Sequence, residues 1–116
     1  MNIEKLEKIL YNCYSKDLCY YKVQNEWNES NKYLGMCAIT ALIVNDYFGG
    51  TIGKIYVNGI SHYFNIINNK IIDLTKKQFD KKIDYNNHQL INRNDILNND
   101  TKKRYQILKD KVTKMI

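Results

Sequence analysis

Three side chains of this 116-residue chain have types and an order that could do chemistry: Cys37, His62 and Asp73. A thiol becomes a working nucleophile when its pKa is lowered, a base stands within hydrogen-bond reach, and a third group holds that base in one tautomer. In that scheme Cys37 attacks a carbonyl or acyl carbon. His62 first takes the thiol proton and later gives it to the leaving group, while Asp73 orients the ring and stabilises the imidazolium. The bond attacked is an amide, an isopeptide or a thioester. Hydrolysis and acyl transfer share these steps and differ only in the acceptor. Each residue also has a plain structural role open to it: free cysteine is among the most buried residue types, a strand histidine often packs, and Asp73 could cap a following helix. Their joint occurrence on suitable elements is what favours the chemical reading.

The element that must position the thiol is Gly35-Met36-Cys37-Ala38-Ile39-Thr40-Ala41-Leu42-Ile43-Val44. It reads as a helix over residues 36–48, apolar nearly all round and stopped by Gly49 and Gly50. Gly35 lets the backbone turn sharply just before it. Cys37 then falls in the first turn, where unpaired N–H groups and roughly half a positive charge favour thiolate over thiol.

His62 and Asp73 belong to β structure. Residues 52–57, 60–67 and 70–74 read as three strands, joined by Asn58-Gly59, the strongest short hairpin signal, and by Asn68-Asn69, which tolerates positive φ. With Asn68 and Asn69 as the two loop residues, Ile67 pairs with Lys70 and Phe64 with Asp73. His62 lies two residues from Phe64 and so shares its face. It becomes a diagonal neighbour of Asp73, about 7–8 Å away at Cα and within reach of an imidazole–carboxylate hydrogen bond. A three-residue loop would put the two on opposite faces.

An oxyanion needs donors aimed at it. The backbone N–H of Cys37 is the natural first one. The Tyr- and Asn-rich connection over residues 15–34 offers Gln24, Asn28 and Asn31 as a second, each equally readable as surface solvation. Trp27 could cover a cleft or pack in the core.

The other elements frame the site. Ile3, Leu6, Ile9, Leu10 and Cys13 form the apolar stripe of a helix over residues 2–14. Thr75-Lys76-Lys77-Gln78 has the capping-box pattern of a short helix that includes Phe79. Residues 84–99 are polar and weakly patterned, with an exposed His88 and anchors at Ile91, Ile96 and Leu97. A last helix starts near Asp100 or Thr101 and turns Tyr105, Leu108, Val112 and Met115 inward.

The totals narrow the classes. The length suits a single domain over residues 1–116. Three cysteines without a Cys-x-x-Cys spacing, beside two histidines, argue against a disulfide framework and a zinc site. Cys13 and Cys19 read as plain buried thiols. The net charge of +6 comes almost wholly from scattered lysines, which is weak support for nucleic-acid binding. Gly49, Gly50 and Gly53 follow a helix and precede a strand, the wrong context for a phosphate loop, and no nicotinamide or flavin fingerprint is present. No cofactor is expected. No run approaches a membrane span and the charged first residues are unlike a signal peptide, so the expected location is cytoplasmic.

The order of cysteine at a helix start, then histidine, then aspartate on a hairpin resembles papain-like and transglutaminase-like thiol enzymes. It implies an α+β fold with N-terminal helices, a central Cys-bearing helix packed on a small antiparallel sheet, and a C-terminal helix. More specifically, Trp27, the run Leu34 to Gly50, Ser61-His62-Tyr63-Phe64-Asn65, Ile72-Asp73-Leu74-Thr75-Lys76-Lys77-Gln78-Phe79 and Arg104-Tyr105-Gln106-Ile107-Leu108-Lys109 resemble the YunG-like family of small bacterial proteins. The resemblance covers most of the chain from Trp27 onward and implies that Cys37, His62 and Asp73 occupy the family's marked positions. One departure stands out: the family pattern carries glutamine just before the cysteine, where this chain has Met36. The expected function is thus a cysteine peptidase, amidase or acyl transferase acting on a peptide or protein-derived acyl substrate. The alternative is a non-catalytic binding or regulatory module on the same fold, motivated by Met36 and by the lack of a clear second oxyanion donor.

Overall fold

A computed structural model describes residues 1–116. Helix α1 spans Ile3–Cys13, opened by Asn2, whose side chain accepts from the Lys5 N–H. Its apolar stripe is buried at Leu6, Ile9, Leu10 and Cys13, as the spacing requires. Residues 15–34 wind through short 3-10 turns before α2, Cys37–Phe48. All seven residues from Ala38 to Val44 are buried in α2, which explains its nearly all-round apolar sequence.

Four strands follow in an antiparallel sheet of order β3-β2-β1-β4: β1 Thr51–Val57, β2 Ile60–Ile67, β3 Lys70–Ile72 and β4 Gln89–Ile91. Both tight turns are two-residue loops with left-handed backbone, Asn58 and Gly59 at φ 53° and 79°, Asn68 and Asn69 at φ 52° and 63°. These turns match the right-handed strand twist and fix the register. Ile67 accordingly faces Lys70 and Asn65 faces Ile72. The fourth strand is an addition to the three expected from sequence. It pairs Ile52 with Ile91 and Lys54 with Gln89, and so covers one edge of β1. The third strand ends at Ile72, two residues earlier than expected, because Asp73 leaves the ladder to form a local turn with Thr75.

Two short elements complete the chain before the last helix. Lys76–Gln78 is a single 3-10 turn rather than a capped helix, since the Thr75 hydroxyl donates to Asp73 instead of capping the turn. Helix α3, Arg93–Ile96, is opened by a reciprocal capping box between Asn92 and Asp95. Helix α4, Asn99–Met115, starts at the Asn98 cap and buries Tyr105, Leu108 and Val112, while Met115 at its end is exposed.

The sheet separates two packed layers. Ile52, Tyr63 and Ile67 join α1, α2 and α4 in a core of 19 buried residues and their half-buried neighbours, with the Asn65 amide donating to the Ala41 carbonyl of α2. On the opposite face Ile55, Val57 and Phe64 form a smaller cluster against Phe79, Ile83 and Tyr85. Gly53 has no Cβ there because the Phe64 ring lies across it: a Cβ would meet Phe64 Cζ at 2.5 Å. No helix is long and apolar enough to cross a membrane.

Candidate functional site

Cys37 is the first residue of α2 and is half-buried. Gly35 makes its position possible. At φ +73° it takes a left-handed turn, and any Cβ would strike Cys19 Sγ and, at 2.7 Å, the Tyr20 nitrogen. The residue before the helix, Met36, has no side-chain oxygen to cap it and is wholly buried in the main core. This position therefore packs in the present chain. The N–H groups of Cys37, Ala38 and Ile39 consequently donate to no protein group, as expected of an uncapped helix start.

A cleft of about 710 Å³ opens at this helix start. Tyr20, Val23 and Leu34 line it from the preceding segment, and Ile60, Tyr63 and Phe79 from the β1–β2 hairpin and the turn beyond β3. Cys37, Ala38 and His62 open onto the same space.

His62 lies on β2, on the face of Phe64, and is 1% exposed. Its Nε2 meets Asp73 Oδ2 at 2.7 Å, with both side chains 2% exposed. The imidazole–carboxylate bond expected from the two-residue loop is found, although Asp73 stands just past the ladder's last pair, Asn65 and Ile72, rather than opposite Phe64. Asp73 accepts three further hydrogen bonds: the Tyr85 hydroxyl on Oδ2 at 2.8 Å, and the Thr75 N–H and hydroxyl on Oδ1 at 3.2 and 3.4 Å. With its carboxylate so satisfied, Asp73 fixes Nε2 as the protonated ring nitrogen. The other nitrogen, Nδ1, is buried and has no hydrogen-bond partner. Burial pulls the ring's pKa down, but the Asp73 hydrogen bond and then the interaction with the Cys37 thiol push it further up, to about 9. The phenyl edge of Phe79, 5.0 Å away between centroids, closes over the ring.

The other two thiols differ from Cys37. Cys13 and Cys19 are buried, as expected, and burial raises the pKa of both, Cys19 to about 11.

The structure pairs His62 with Asp73 and sets Cys37 and His62 on one cleft, whereas of the four loop residues singled out from sequence only Asn31 reaches it. Gln24 donates to the Lys16 carbonyl at 3.0 Å, Asn28 is exposed and accepts from Ser30, and Trp27 is half-buried against the main core with its indole N–H on the Lys32 carbonyl. None of the three lines the cleft. Asn31 does, and it donates to the Gln78 carbonyl at 3.1 Å. Gln78, missed as a site residue, also lines it and offers Oε1 to the Gly35 N–H at 3.5 Å. Thr75 and Tyr85 were missed as well. The Asp-x-Thr spacing is a recognisable signal for the local turn that Thr75 makes. Tyr85 has no signal, being a lone aromatic in a polar stretch.

The chain matches the YunG protein family over residues 2–116. It is 35% identical over 86 residues to "Uncharacterized protein YunG" of Bacillus subtilis (strain 168), which covers 74% of each chain. No solved structure matches it. With the family match running from the residue before α1 to the end of α4, the chain belongs to the YunG family.

Proposed function

We propose that this protein is a cysteine-dependent hydrolase or acyl transferase with a papain-like or transglutaminase-like site, acting in the cytoplasm on an amide, isopeptide or thioester bond of a peptide or protein-derived substrate. The observation that carries the reading is the state of His62: one ring nitrogen is bonded to a buried carboxylate, the other is unpartnered, and the ring interacts with the Cys37 thiol where both line an open cleft.

With the proton of the pair held on Nδ1, as the raised ring pKa favours, the Cys37 thiolate bonds through Sγ to the acyl carbon and the carbonyl π electrons move to oxygen. The free N–H groups of Cys37 and Ala38 are the donors for that oxyanion, within reach of the helix's positive end. When the carbonyl re-forms, the bond to the leaving nitrogen or sulfur breaks and that atom takes the proton from Nδ1. A thioester remains on Cys37, which water hydrolyses or an amine or thiol acceptor resolves.

The decisive test is site-resolved alkylation by iodoacetamide with and without the base. Cys37 is expected to react at neutral pH, and His62→Gln to slow it by about tenfold or more with the fold retained. An unchanged rate in the folded variant would show that exposure alone governs the thiol and would end the catalytic reading. The second reading, a binding module on this fold, draws on buried Met36 and on the engagement of Gln24 and Asn28 away from the cleft, which removes two of the side chains that could have served an oxyanion. In that case Cys37→Ala preserves the cellular phenotype.

A further inference from the structure

We propose that Tyr85 is a positioning residue of this site: by donating to the same Asp73 oxygen that receives His62, it holds the carboxylate to the ring and limits its grip on the ring proton. The proposal rests on the thiol-enzyme reading for its purpose, though not for its measurement.

The four donors to Asp73 are unequal. Thr75 reaches Oδ1 at 3.2 and 3.4 Å, long for its type, whereas His62 and Tyr85 both reach Oδ2 at short distances of 2.7 and 2.8 Å. Tyr85 is thus the close partner of the carboxylate that is not itself in the proton path. It comes from the connection between β3 and β4, where its neighbours Asp84, Asn86 and Asn87 are exposed and a phenol could have reached water. Its ring is instead set edge-on to Phe64, 4.9 Å between centroids, which aims the hydroxyl inward. Burial and the Asp73 hydrogen bond raise the phenol's pKa, so the hydroxyl stays a donor through the working range.

Two donors on one oxygen divide its negative charge. An imidazolium facing an unshared carboxylate holds its proton more tightly and is a poorer acid toward a leaving group. The groups facing His62 are the Asp73 carboxylate, the Cys37 thiol and the uncharged Phe79 ring, so the Asp73 oxygen is the place where the ring's proton affinity can be adjusted without touching the nucleophile.

The test is an NMR titration of the His62 ring in the full-length protein. Tyr85→Phe keeps the ring against Phe64 and removes only the hydroxyl. The His62 midpoint is expected to rise by about half a pH unit or more. Site-specific 3-fluorotyrosine in place of Tyr85, a stronger donor of nearly the same shape, should lower it, and this arm stands even where Tyr85→Phe does not fold. A midpoint that stays put, or moves in the opposite sense, in either protein overturns the proposal and leaves Tyr85 as packing. The same shift is expected in a Cys37→Ala background. The titration therefore judges Tyr85 independently, while the alkylation of His62→Gln judges the thiol-enzyme reading.

Discussion

The two faces of the sheet are buried by different means. Toward α1, α2 and α4 the sheet meets a core cluster of 19 buried residues, and the Asn65 amide on that face is paired to a helix carbonyl. On the other face only Ile55, Val57 and Phe64 form an apolar cluster, and beside them lie buried His62, Asp73 and Thr75. The first face holds most of the buried apolar side chains, and with them most of the apolar stabilisation. The second buries an ionisable pair, which is weak grounds for stability because desolvation offsets attraction. Such a pair is tolerable only where each polar atom has a partner, and all do save Nδ1. The apolar core and the His62–Asp73 pair therefore lie on opposite faces, and their contributions can be probed one at a time.

The largest effect expected from this division is on the helical side. Leu108→Ala in α4 removes a fully buried side chain and should cost about 3 kcal/mol, read by urea denaturation. In the remaining folded protein the alkylation rate of Cys37 should stay within about twofold of the native rate. A large loss of reactivity without unfolding would break the separation.

Asp73→Ala attacks the other face. It leaves the His62 Nε2–H and the Tyr85 hydroxyl without their buried acceptor, at a cost of about 2 kcal/mol. It also frees the ring to change tautomer, so Cys37 alkylation at pH 7 should fall by about tenfold. The mirror-image result, full reactivity with lost stability, would make the carboxylate structural.

Stability should also depend on pH through this face. His62 has its folded pKa raised to about 9 from an ordinary 6.5, so the folded state binds the proton more tightly than the unfolded chain. The associated stabilisation is full below pH 6.5, declines as pH rises toward 9 and is lost above it. The melting temperature should drop by a few degrees across that window, and His62→Gln should flatten the decline. An equal slope in both proteins would assign the dependence to other groups.

The legibility of the sequence follows the same division. The helices that build the large core announce themselves by pattern, α1 through the spacing of Leu6, Ile9, Leu10 and Cys13, and α2 by an apolar run that only Thr40 interrupts. The pairing of His62 with Asp73 was legible because two-residue loops at Asn58-Gly59 and Asn68-Asn69 leave no freedom of register. Other features were not. The strand Gln89-Leu90-Ile91 is too short to show alternation, and its place beside β1 is set by tertiary pairing alone. Thr75 matched a helix cap, but a nearby buried carboxylate outcompetes a helix end for its hydroxyl. Gln24, Trp27 and Asn28 sit in a loop whose polar side chains satisfy the loop's own backbone, so position before the cysteine said nothing about direction. Tyr85 enters the site across the sheet face from a stretch without periodicity.

Thr75 offers the smallest and sharpest probe of how the polar face is held. Thr75→Val keeps the backbone N–H bond to Asp73 Oδ1 at 3.2 Å and deletes only the hydroxyl at 3.4 Å. A bond that long is weak, and the oxygen losing it is not the one that binds the ring. The expected change is therefore about 0.5–1 kcal/mol in stability, with little movement of the His62 titration. Compared with Tyr85→Phe, the same chemical deletion on the opposite oxygen, it separates the two roles of one carboxylate: Oδ1 anchors the backbone turn and Oδ2 addresses the ring. If both variants moved the titration equally, the two oxygens would be acting as one delocalised charge, and the asymmetry of distances around Asp73 would carry no functional meaning.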